Sequence, residues 1–295
     1  MPPSLPPRPW TTLVPPEALL PEIGSESIVL LDCRHKLDDP EAGPRAYDDG
    51  HILGAHHAHI DRDLSGPVGP TTGRHPLPDP DRFRRAASRW GVAPHAQVVA
   101  YDDVGGAFAA RAWWLLRHHG HDAVAVLDGG LQAYISAGGR LTREMPTRYA
   151  EDTFHSGPGH LPTVDAKSIA ARLPAAPGTL IDVRDPTRYR GDEEPIDPVA
   201  GHIPGARNKP FKSHLDRDGR FLPSDRLRAD YQTLLADRKP DEVAFYCGSG
   251  VTATHGILAL EVAGLYGAAL YPGSWSEWCS DRERPVATGE EEVRA

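Results

Sequence analysis

A lone cysteine in the stretch VAFYCGSGVTATHG, residues Val243–Gly256, is the part of the chain most suited to chemistry. Cys247 stands where an apolar run ends and a glycine-rich run begins, with Gly248 and Gly250 beside it. A cysteine in such a place can be a nucleophile, a metal ligand, half of a disulfide or a buried structural thiol. Its neighbours decide between these four.

Several of these chemistries lack the partners that they need. A dithiol redox motif requires a second cysteine three positions on, and that position is Gly250. A cysteine phosphatase loop would carry an arginine six positions on, where this chain has Ala253. A zinc site needs three or four ligands, and the sequence has no paired CxxC motif, so we expect no metal. A Cys–His hydrolase stays open, because its histidine can lie anywhere among the 15 in the chain.

The elements predicted around Cys247 place it at the edge of a sheet. The apolar run before it predicts a strand, and the residues after it predict a helix that ends on Gly264. In an open parallel sheet, sites form beyond the carboxyl ends of the strands. Gly248 and Gly250 allow a tight turn whose N–H groups, with the helix N-terminus, stabilise a negatively charged sulfur. This setting favours a nucleophile over a structural thiol.

The other two cysteines, Cys33 and Cys279, lack this setting and are predicted to be core thiols. Three widely spaced cysteines do not make a disulfide framework, and free thiols are typical of a reducing compartment. The proline-rich N-terminus has no apolar signal region. We therefore expect a cytoplasmic protein.

Composition disfavours two classes of partner. No apolar run approaches the ~20 residues needed to span a bilayer, so no membrane association is expected. The net charge is −9 and there is no basic run. Nucleic-acid binding, which needs a basic surface, is therefore disfavoured as well.

Four motifs occur twice in the same order, which predicts a duplicated domain. The copies lie 144 to 151 positions apart, far too long for a solenoid repeat. The pairs are LLDCRH with LIDVRD, GHILGA with GHIPGA, VVAYDD with VAFYCG, and LDGG with YPGS. We assign an N-terminal domain to residues 10–142, a polar linker rich in Gly and Pro to residues 143–163, and a C-terminal domain to residues 164–290.

Each half alternates predicted strands and helices, which indicates an α/β fold with a parallel sheet flanked by helices on both faces. The strands SIVLLD and QVVAY of the first half correspond to TLIDV and EVAFY of the second. The helix AFAARAWWLLRHHG is predicted to end on Gly120 and to bury one face, formed by Phe108, Ala112, Leu115 and Leu116.

Together these motifs resemble the tandem-rhodanese sulfurtransferases. The resemblance covers roughly residues 10–285, and it is carried by Cys247–Ala253, the paired GHI–GA segments, Asp182–Gly191 and Tyr271–Trp278. It implies two rhodanese domains of similar fold, with the catalytic cysteine in the C-terminal one and the active site between the two. Where the second half has Cys247, the first has Asp102. A carboxylate cannot carry sulfane sulfur, so we expect the N-terminal domain to be catalytically inactive.

The same resemblance implies roles for individual residues. Cys247 would carry a persulfide, and the Ser249 hydroxyl would bind the substrate and assist proton movement as pyruvate leaves. Arg188 matches the family's arginine for the donor carboxylate, and Arg184 is interpreted as structural, paired with a nearby carboxylate. The residues implied to bind substrate are Arg188, Gly248, Gly250, Val251 and Thr252, with His51, Arg184 and Arg190 in supporting roles.

Two features disagree about the sulfur donor. Gly248 and Ser249 are neutral, as in family members that use mercaptopyruvate, whereas thiosulfate-type members carry basic residues there. Mercaptopyruvate-type members, however, have a second substrate arginine nine positions beyond the first, where this chain has Asp197. Because the loop touches the transferred sulfur, we favour mercaptopyruvate and keep thiosulfate as the alternative.

The reaction implied is a ping-pong transfer that needs no cofactor. Cys247 takes sulfur from a small-molecule donor and passes it to cyanide, a small thiol or a thioredoxin-type protein. Two other classes of function stay open. One is a protein-to-protein sulfur carrier; the other is a rhodanese-fold binding module, which the intact Cys247 disfavours.

Overall fold

A computed structural model describes residues 9–147, 154–155, 157, 161–173 and 178–290. Contacts divide the chain into two compact units. Unit 1 comprises Met1–Gly66, Pro78–His160 and Leu215–Phe221, and unit 2 comprises Pro67–Leu77, Leu161–His214 and Leu222–Ala295. Each unit therefore includes a short segment from the other half of the sequence. Of the linker assigned to 143–163, residues 148–153, 156 and 158–160 lie outside the described residues.

Unit 1 is built on a parallel sheet flanked by helices. Its described elements are β1 (Leu13–Val14), α1 (Pro16–Leu19), β2 (Ile28–Asp32), α2 (Ala42–Asp49), β3 (His51–Ile52), β4 (Ala55–His57), α3 (Pro80–Arg89), β5 (Gln97–Tyr101), α4 (Ala109–His118), β6 (Val124–Leu127), α5 (Gly130–Ser136) and β7 (Leu141–Thr142). The sheet order is β1–β6–β5–β2–β4, and every pair in it is parallel. β3 and β7 form a separate antiparallel pair.

The central strands and α4 are more deeply buried than their sequence patterns suggest. β5 is buried along its whole length, as is typical of parallel strands covered by helices. α4 is buried at every position from Ala109 to Leu116, so the predicted single face is too narrow. The physical reason is its composition: alanine, tryptophan and leucine surround the helix axis from Ala109 to Leu116, and the one charge in that stretch, Arg111, donates to the Leu64 carbonyl at 3.3 Å.

Unit 2 repeats this plan with a shorter sheet. Its described elements are α6 (Ala166–Arg172), β8 (Leu180–Asp182), α7 (Pro186–Arg190), β9 (Arg207–Asn208), α8 (Ser224–Leu235), β10 (Ala244–Tyr246), α9 (Ala253–Val262), β11 (Ala269–Leu270) and α10 (Ser274–Trp278). The sheet order is β11–β10–β8–β9, all parallel. The predicted α/β class, with parallel sheets flanked by helices, is confirmed.

The duplication extends to buried hydrogen bonds. In unit 1, Arg34 donates to the Asp32 carboxylate and to a glycine carbonyl at 2.7 Å; in unit 2, Arg184 does the same with Asp182 and Gly201. Both arginines are buried. Each ion pair joins the end of a strand to the loop that follows it. Among the described helices, none is long and apolar enough to cross a membrane.

Candidate functional site

Cys247 directly follows β10 and is almost wholly buried, with 2% of its surface exposed. The Gly250 N–H donates to its Sγ atom at 3.1 Å. Its own N–H donates to Ser274 Oγ at 3.1 Å, and its carbonyl accepts the Trp275 N–H at 2.9 Å. The turn around the sulfur and the start of α10 therefore fix Cys247 from two sides.

Gly250 is required by the shape of this turn. Its φ is +81°, in the left-handed region that favours glycine. A Cβ at this position would collide with the Pro272 carbonyl oxygen. Val251 is buried, and Thr252 is the N-cap of α9, its carbonyl accepting the His255 N–H at 3.1 Å. The turn thus leads directly into α9, whose N-terminus follows Cys247 closely in the chain.

Ser274, which contacts Cys247, adopts a strained backbone conformation. Its φ of +53° is uncommon for a residue other than glycine. Its hydroxyl donates to the Tyr271 carbonyl at 3.0 Å and accepts the Cys247 N–H. These two hydrogen bonds stabilise the strained backbone of Ser274 and fix the backbone of Cys247.

Ser249 is paired with a histidine that no sequence motif identifies. Its Oγ lies 2.7 Å from His75 Nδ1, and both residues are buried. His75 belongs to Pro67–Leu77, the segment from the N-terminal half that is part of unit 2. A hydroxyl hydrogen-bonded to an imidazole can relay a proton. Since His75 pairs with Ser249, this contact is not the Cys–His pair of a hydrolase.

Arg188, on α7, is held by two carboxylates. Its Nε and Nη2 donate to Glu194 at 3.2 and 2.7 Å, and Nη2 also donates to Asp197 Oδ2 at 3.1 Å. The other oxygen of Asp197 pairs with Nη1 of Arg74. Burial raises the pKa of Asp197, and the Arg74 guanidinium opposes that shift. One buried carboxylate thus bridges two guanidinium groups.

Both guanidinium groups face Gly248. A Cβ built on Gly248 would lie 2.9 Å from Arg74 Nη2 and 3.5 Å from Arg188 Nη1. The loop itself is neutral, but two guanidinium groups, each paired with a carboxylate, border it. An anionic group next to Cys247 would meet two charged donors.

The remaining predicted site residues have these surroundings. Arg184 is bound by Asp182, and although burial works to lower its pKa, that carboxylate raises it. Arg190 is half-buried and pairs with Asp192 at 2.8 Å and Glu290 at 3.3 Å. His51 lies in unit 1, where its ring nitrogens meet the backbone carbonyls of Tyr47 at 2.8 Å and Glu144 at 3.0 Å.

The other two cysteines are poor nucleophiles. Burial and the nearby Asp102 carboxylate raise the pKa of Cys33 well above its usual range. Burial raises the pKa of Cys279 to about 11. Within the described part of the chain, no cluster of three or more His, Cys, Asp or Glu side chains could hold a metal ion.

The residues that sequence reasoning missed are Arg74, His75, Glu194 and Ser274. Arg74 and His75 lie in GPVGPTTGRHPLPDP, a segment with the composition of a loop. An adjacent arginine and histidine in such a loop are a weak signal for a site. Their partners lie more than 100 positions away, and no local pattern identifies them.

Both halves of the chain match known proteins. A family model described as "Rhodanese-like domain" matches residues 15–137 and again residues 165–281. A "Probable 3-mercaptopyruvate sulfurtransferase" of Pseudomonas aeruginosa is 48% identical over 280 residues, 94% of this chain and 98% of that protein. A "Putative thiosulfate sulfurtransferase SseB" of Mycobacterium tuberculosis is 43% identical over 274 residues, 90% of this chain and 92% of that protein.

A solved structure matches as well. SseA from Escherichia coli, titled as a 3-mercaptopyruvate sulfotransferase, has a TM-score of 0.76 and 30% identity, over 90% of this chain and 100% of its own. These matches confirm the resemblance that the sequence motifs carried.

Proposed function

The chain belongs to the rhodanese family of sulfurtransferases, and we propose that its donor is 3-mercaptopyruvate and that Cys247 carries the transferred sulfur. The P. aeruginosa relative bears that donor in its name and matches almost the whole chain. Cys247 is buried, its Sγ accepts the Gly250 N–H and its own N–H donates to Ser274 Oγ, and this position supports its role as the nucleophile.

In the first half-reaction the Cys247 thiolate attacks the sulfur of the donor. An S–S bond forms as the carbon–sulfur bond of mercaptopyruvate breaks, and the bonding pair leaves on carbon as the enolate of pyruvate. The donor's thiol hydrogen stays on the outer sulfur, so the enzyme becomes Cys247–S–SH. The enolate then takes up a proton and departs as pyruvate.

The contact between Ser249 and His75 is the observation that carries the choice of donor. The enolate is a strongly basic leaving group and needs a proton, whereas sulfite, which thiosulfate would release, is a stable anion. A hydroxyl at 2.7 Å from a buried imidazole, one residue from Gly248, is placed to deliver that proton. This relay serves mercaptopyruvate and is superfluous for thiosulfate.

In the second half-reaction an acceptor nucleophile attacks the outer sulfur, and Cys247 leaves as a thiolate. Cyanide, a small thiol and a thioredoxin-type protein all have the required nucleophile. The three cysteines of the chain are free thiols, which fits a reducing compartment such as the cytoplasm.

Thiosulfate is the second candidate donor. The two guanidinium groups beside Gly248 could both donate to a compact dianion, and the M. tuberculosis relative is named for thiosulfate. A sulfur carrier with a protein partner would use the same persulfide, but it would turn over slowly with either small donor.

The test is a comparison of kcat/KM for the two donors in the purified protein and in Ser249→Ala. We expect the wild type to prefer mercaptopyruvate, and Ser249→Ala to lose most of that activity while keeping its activity with thiosulfate. The loss should be about 100-fold, typical of general acid–base assistance. A wild type that prefers thiosulfate, or a Ser249→Ala variant that loses both activities equally, would overturn the donor assignment.

A further inference from the structure

We propose that His214 and His255 are positioning residues for the sulfur transfer, because their hydrogen bond holds the first turn of α9 and, through it, the turn that carries Cys247. Their role is to keep a segment of backbone in place, and no contact with the donor is required of them. The inference rests on the proposed function, since it takes Cys247 as the residue that carries the sulfur. It does not depend on which donor supplies that sulfur.

A chain of hydrogen bonds joins three elements of unit 2 at the start of α9. Nδ1 of His255 lies 3.4 Å from Nδ1 of His214, the last residue of the short helical turn Phe211–His214. Nε2 of His214 lies 2.9 Å from the hydroxyl oxygen of Tyr231, on α8. That hydroxyl donates to the carbonyl of Gly256 at 2.9 Å, so the chain returns to α9 one residue beyond His255.

The direction of each hydrogen bond is assigned from the partners along this chain. Tyr231 uses its hydrogen on the Gly256 carbonyl, so its oxygen accepts from His214, whose Nε2 then carries a hydrogen. Nδ1 of a neutral His214 is an acceptor, and His255 donates to it from its own Nδ1. The chain is therefore complete with both imidazoles neutral.

The chain acts on the residues that close the first turn of α9. The N–H groups of His255 and Gly256 donate to the carbonyl of Thr252, the N-cap, at 3.1 and 3.4 Å. The helix also packs tightly on β10, because a Cβ on Gly256 would lie 2.6 Å from the Phe245 ring. β10 is the strand that leads to Cys247. The first turn of α9 is thus fixed both by packing on that strand and by the hydrogen bonds to α8.

The partner of His255 is itself held in place. The N–H of Phe211 donates to the Val183 carbonyl at 2.9 Å, directly after β8. The carbonyl of His214 accepts the Leu222 N–H at 2.8 Å. The Phe211 ring meets the His255 ring edge-on, with centroids 5.5 Å apart. His214 therefore belongs to a segment that is tied to the sheet, and His255 joins α9 to that segment.

Burial keeps the pair neutral and makes it specific. His214 and His255 are both 0% exposed. Burial lowers the pKa of His214 well below its usual range, and His255 and Lys209 act in the same direction. An apolar pair would need no partners, whereas a satisfied polar network specifies one arrangement of the elements that it joins. A reacting cysteine needs such precision, since a displacement of about 1 Å can lower a rate roughly 100-fold.

The experiment compares the wild type with His255→Leu and His255→Asn. It measures the rate of persulfide formation on Cys247 and kcat with cyanide as acceptor, for mercaptopyruvate and for thiosulfate. Leucine removes the N–H, whereas asparagine places an amide N–H close to the position of Nδ1. In His255→Leu we expect both rates to fall at least about tenfold per folded molecule while KM changes little, because the sulfur is displaced. His255→Asn should recover most of that loss.

Hydrogen exchange gives a readout that does not need turnover. The backbone N–H groups of residues 250–256 should exchange faster in His255→Leu than in the wild type, and at the wild-type rate in His255→Asn. The matched control is His119→Phe, which removes an imidazole of unit 1 whose pKa burial also lowers. It should change neither the exchange of this segment nor kcat.

The double variant His214→Leu/His255→Leu separates positioning from stability. His255→Leu alone leaves Nδ1 of His214 buried without its donor, which should lower the melting temperature. Replacing both partners by apolar groups avoids that unpaired atom, so the double variant should melt closer to the wild type than the single variant does. Its kcat should nevertheless stay low, because the link between α9 and the segment of His214 is still missing.

Each failure has its own signature. If the wild type forms the Cys247 persulfide and His255→Leu forms it at the same rate per folded molecule, the inference is overturned and the proposed function stands. The inference is also overturned if His255→Asn is as slow as His255→Leu, or if the double variant recovers kcat together with its melting temperature. If the wild type forms no persulfide on Cys247 with either donor, the proposed function fails and the inference fails with it.

Discussion

The loops after β5 and β10 occupy equivalent places in the two units, but they are filled differently. In unit 1 the Asp102 carboxylate accepts N–H bonds at 2.8 to 2.9 Å from four backbone groups, those of Val104, Gly106, Phe108 and Ala109. In unit 2 the equivalent residue is Cys247, whose Sγ accepts the Gly250 N–H. The equivalent turn therefore donates N–H groups to a carboxylate in unit 1 and to a thiol in unit 2.

The difference gives a physical reason to expect that the loop after β5 carries no sulfur. A carboxylate is a built-in anion that saturates the inward-pointing N–H groups. Burial raises the pKa of Asp102, while the four N–H donors act in the opposite direction. The cysteine side chain is shorter and has a single acceptor atom. The turn of unit 2 can therefore accommodate the outer sulfur of a persulfide. With the proposed function, we expect the turn to serve stability in unit 1 and chemistry in unit 2.

Each unit includes a short segment from the other half of the sequence, and these two segments also differ in what they bring to the loops. Pro67–Leu77 supplies Arg74 and His75 to the loop of unit 2. Leu215–Phe221 is part of unit 1, where a Cβ on Gly105 would meet the Leu215 side chain at 2.5 Å. One segment brings polar groups to its loop, and the other covers its loop with an apolar side chain.

The largest effect is expected for Cys247→Ser, which removes the atom by which the two loops differ. Sulfur transfer should be abolished with both donors, because a hydroxyl cannot form a persulfide, and the fold should remain. Mass spectrometry should show the gain of one sulfur on incubation of the wild type with donor, and none on the variant. Cys279→Ser is the control and should keep full activity; persulfide on Cys33 or Cys279 would refute the assignment.

The second largest effect is expected for Gly250→Ala, with Gly105→Ala as its counterpart in unit 1. The added Cβ at Gly250 collides with the Pro272 carbonyl, and the displaced turn should lower kcat/KM roughly 100-fold, the cost of moving a reacting atom by about 1 Å. Gly105 has a φ of +69°, so alanine there should cost about 1–2 kcal/mol of stability. Turnover per folded molecule should be unchanged in Gly105→Ala. Equal losses of turnover in both variants would show that the two loops do not differ in role.

Asp102→Asn tests the loop after β5 directly. The amide keeps one accepting oxygen but turns an NH2 group toward two of the four backbone donors. We expect a loss of about 1–3 kcal/mol of unfolding free energy for each buried N–H left unpaired, measured by denaturant titration. Persulfide formation on Cys247 should persist at the wild-type rate per folded molecule. A variant as stable as the wild type would mean that the four hydrogen bonds do not stabilise unit 1.

Local sequence patterns predicted the features that depend on local structure. The strand, turn and helix around Cys247, the repeated Asp–Arg and GHI motifs and the α/β class all follow from short-range order in the chain. The burial of α4 on all sides could not be predicted from its periodicity, because it depends on what packs around the helix. Arg74 and His75 could not be predicted either, since 174 positions separate His75 from Ser249 and only the folded chain joins them.

Asp197 shows the limit most clearly. From the sequence it is a departure from an arginine pattern, and it weakened the choice of donor. In the structure it forms an ion pair with Arg74. The residue that departs from the pattern and the arginine that pairs with it lie on different segments of the chain. A residue that looks unfavourable alone can be favourable with a partner that the sequence does not indicate.

The smallest effect concerns stability in acid, where burial lowers the pKa of several histidines of unit 1. Burial lowers the pKa of His56 and of His119 to about 4, and His118 contributes to the shift of His119. Unfolded chains protonate histidine near pH 6.5, so between about pH 6.5 and 4 the unfolded state binds more protons than the folded one. Stability is therefore complete above pH 6.5 and falls as the pH drops through this window, by at most about 1.4 kcal/mol per pH unit for each histidine.

Replacing His119 by phenylalanine should flatten this acid limb. The ring of His119 stacks on Phe83 with centroids 4.7 Å apart, so a phenyl ring keeps the packing and removes the titration. Unfolding free energies at pH 7 and pH 5 should then differ less in His119→Phe than in the wild type. His95→Gln, at an exposed position of the same unit, is the control and should keep the wild-type slope. The same slope in all three proteins would contradict the role of His119 and leave the acid sensitivity to the other histidines whose pKa burial lowers, His56 and His214 among them.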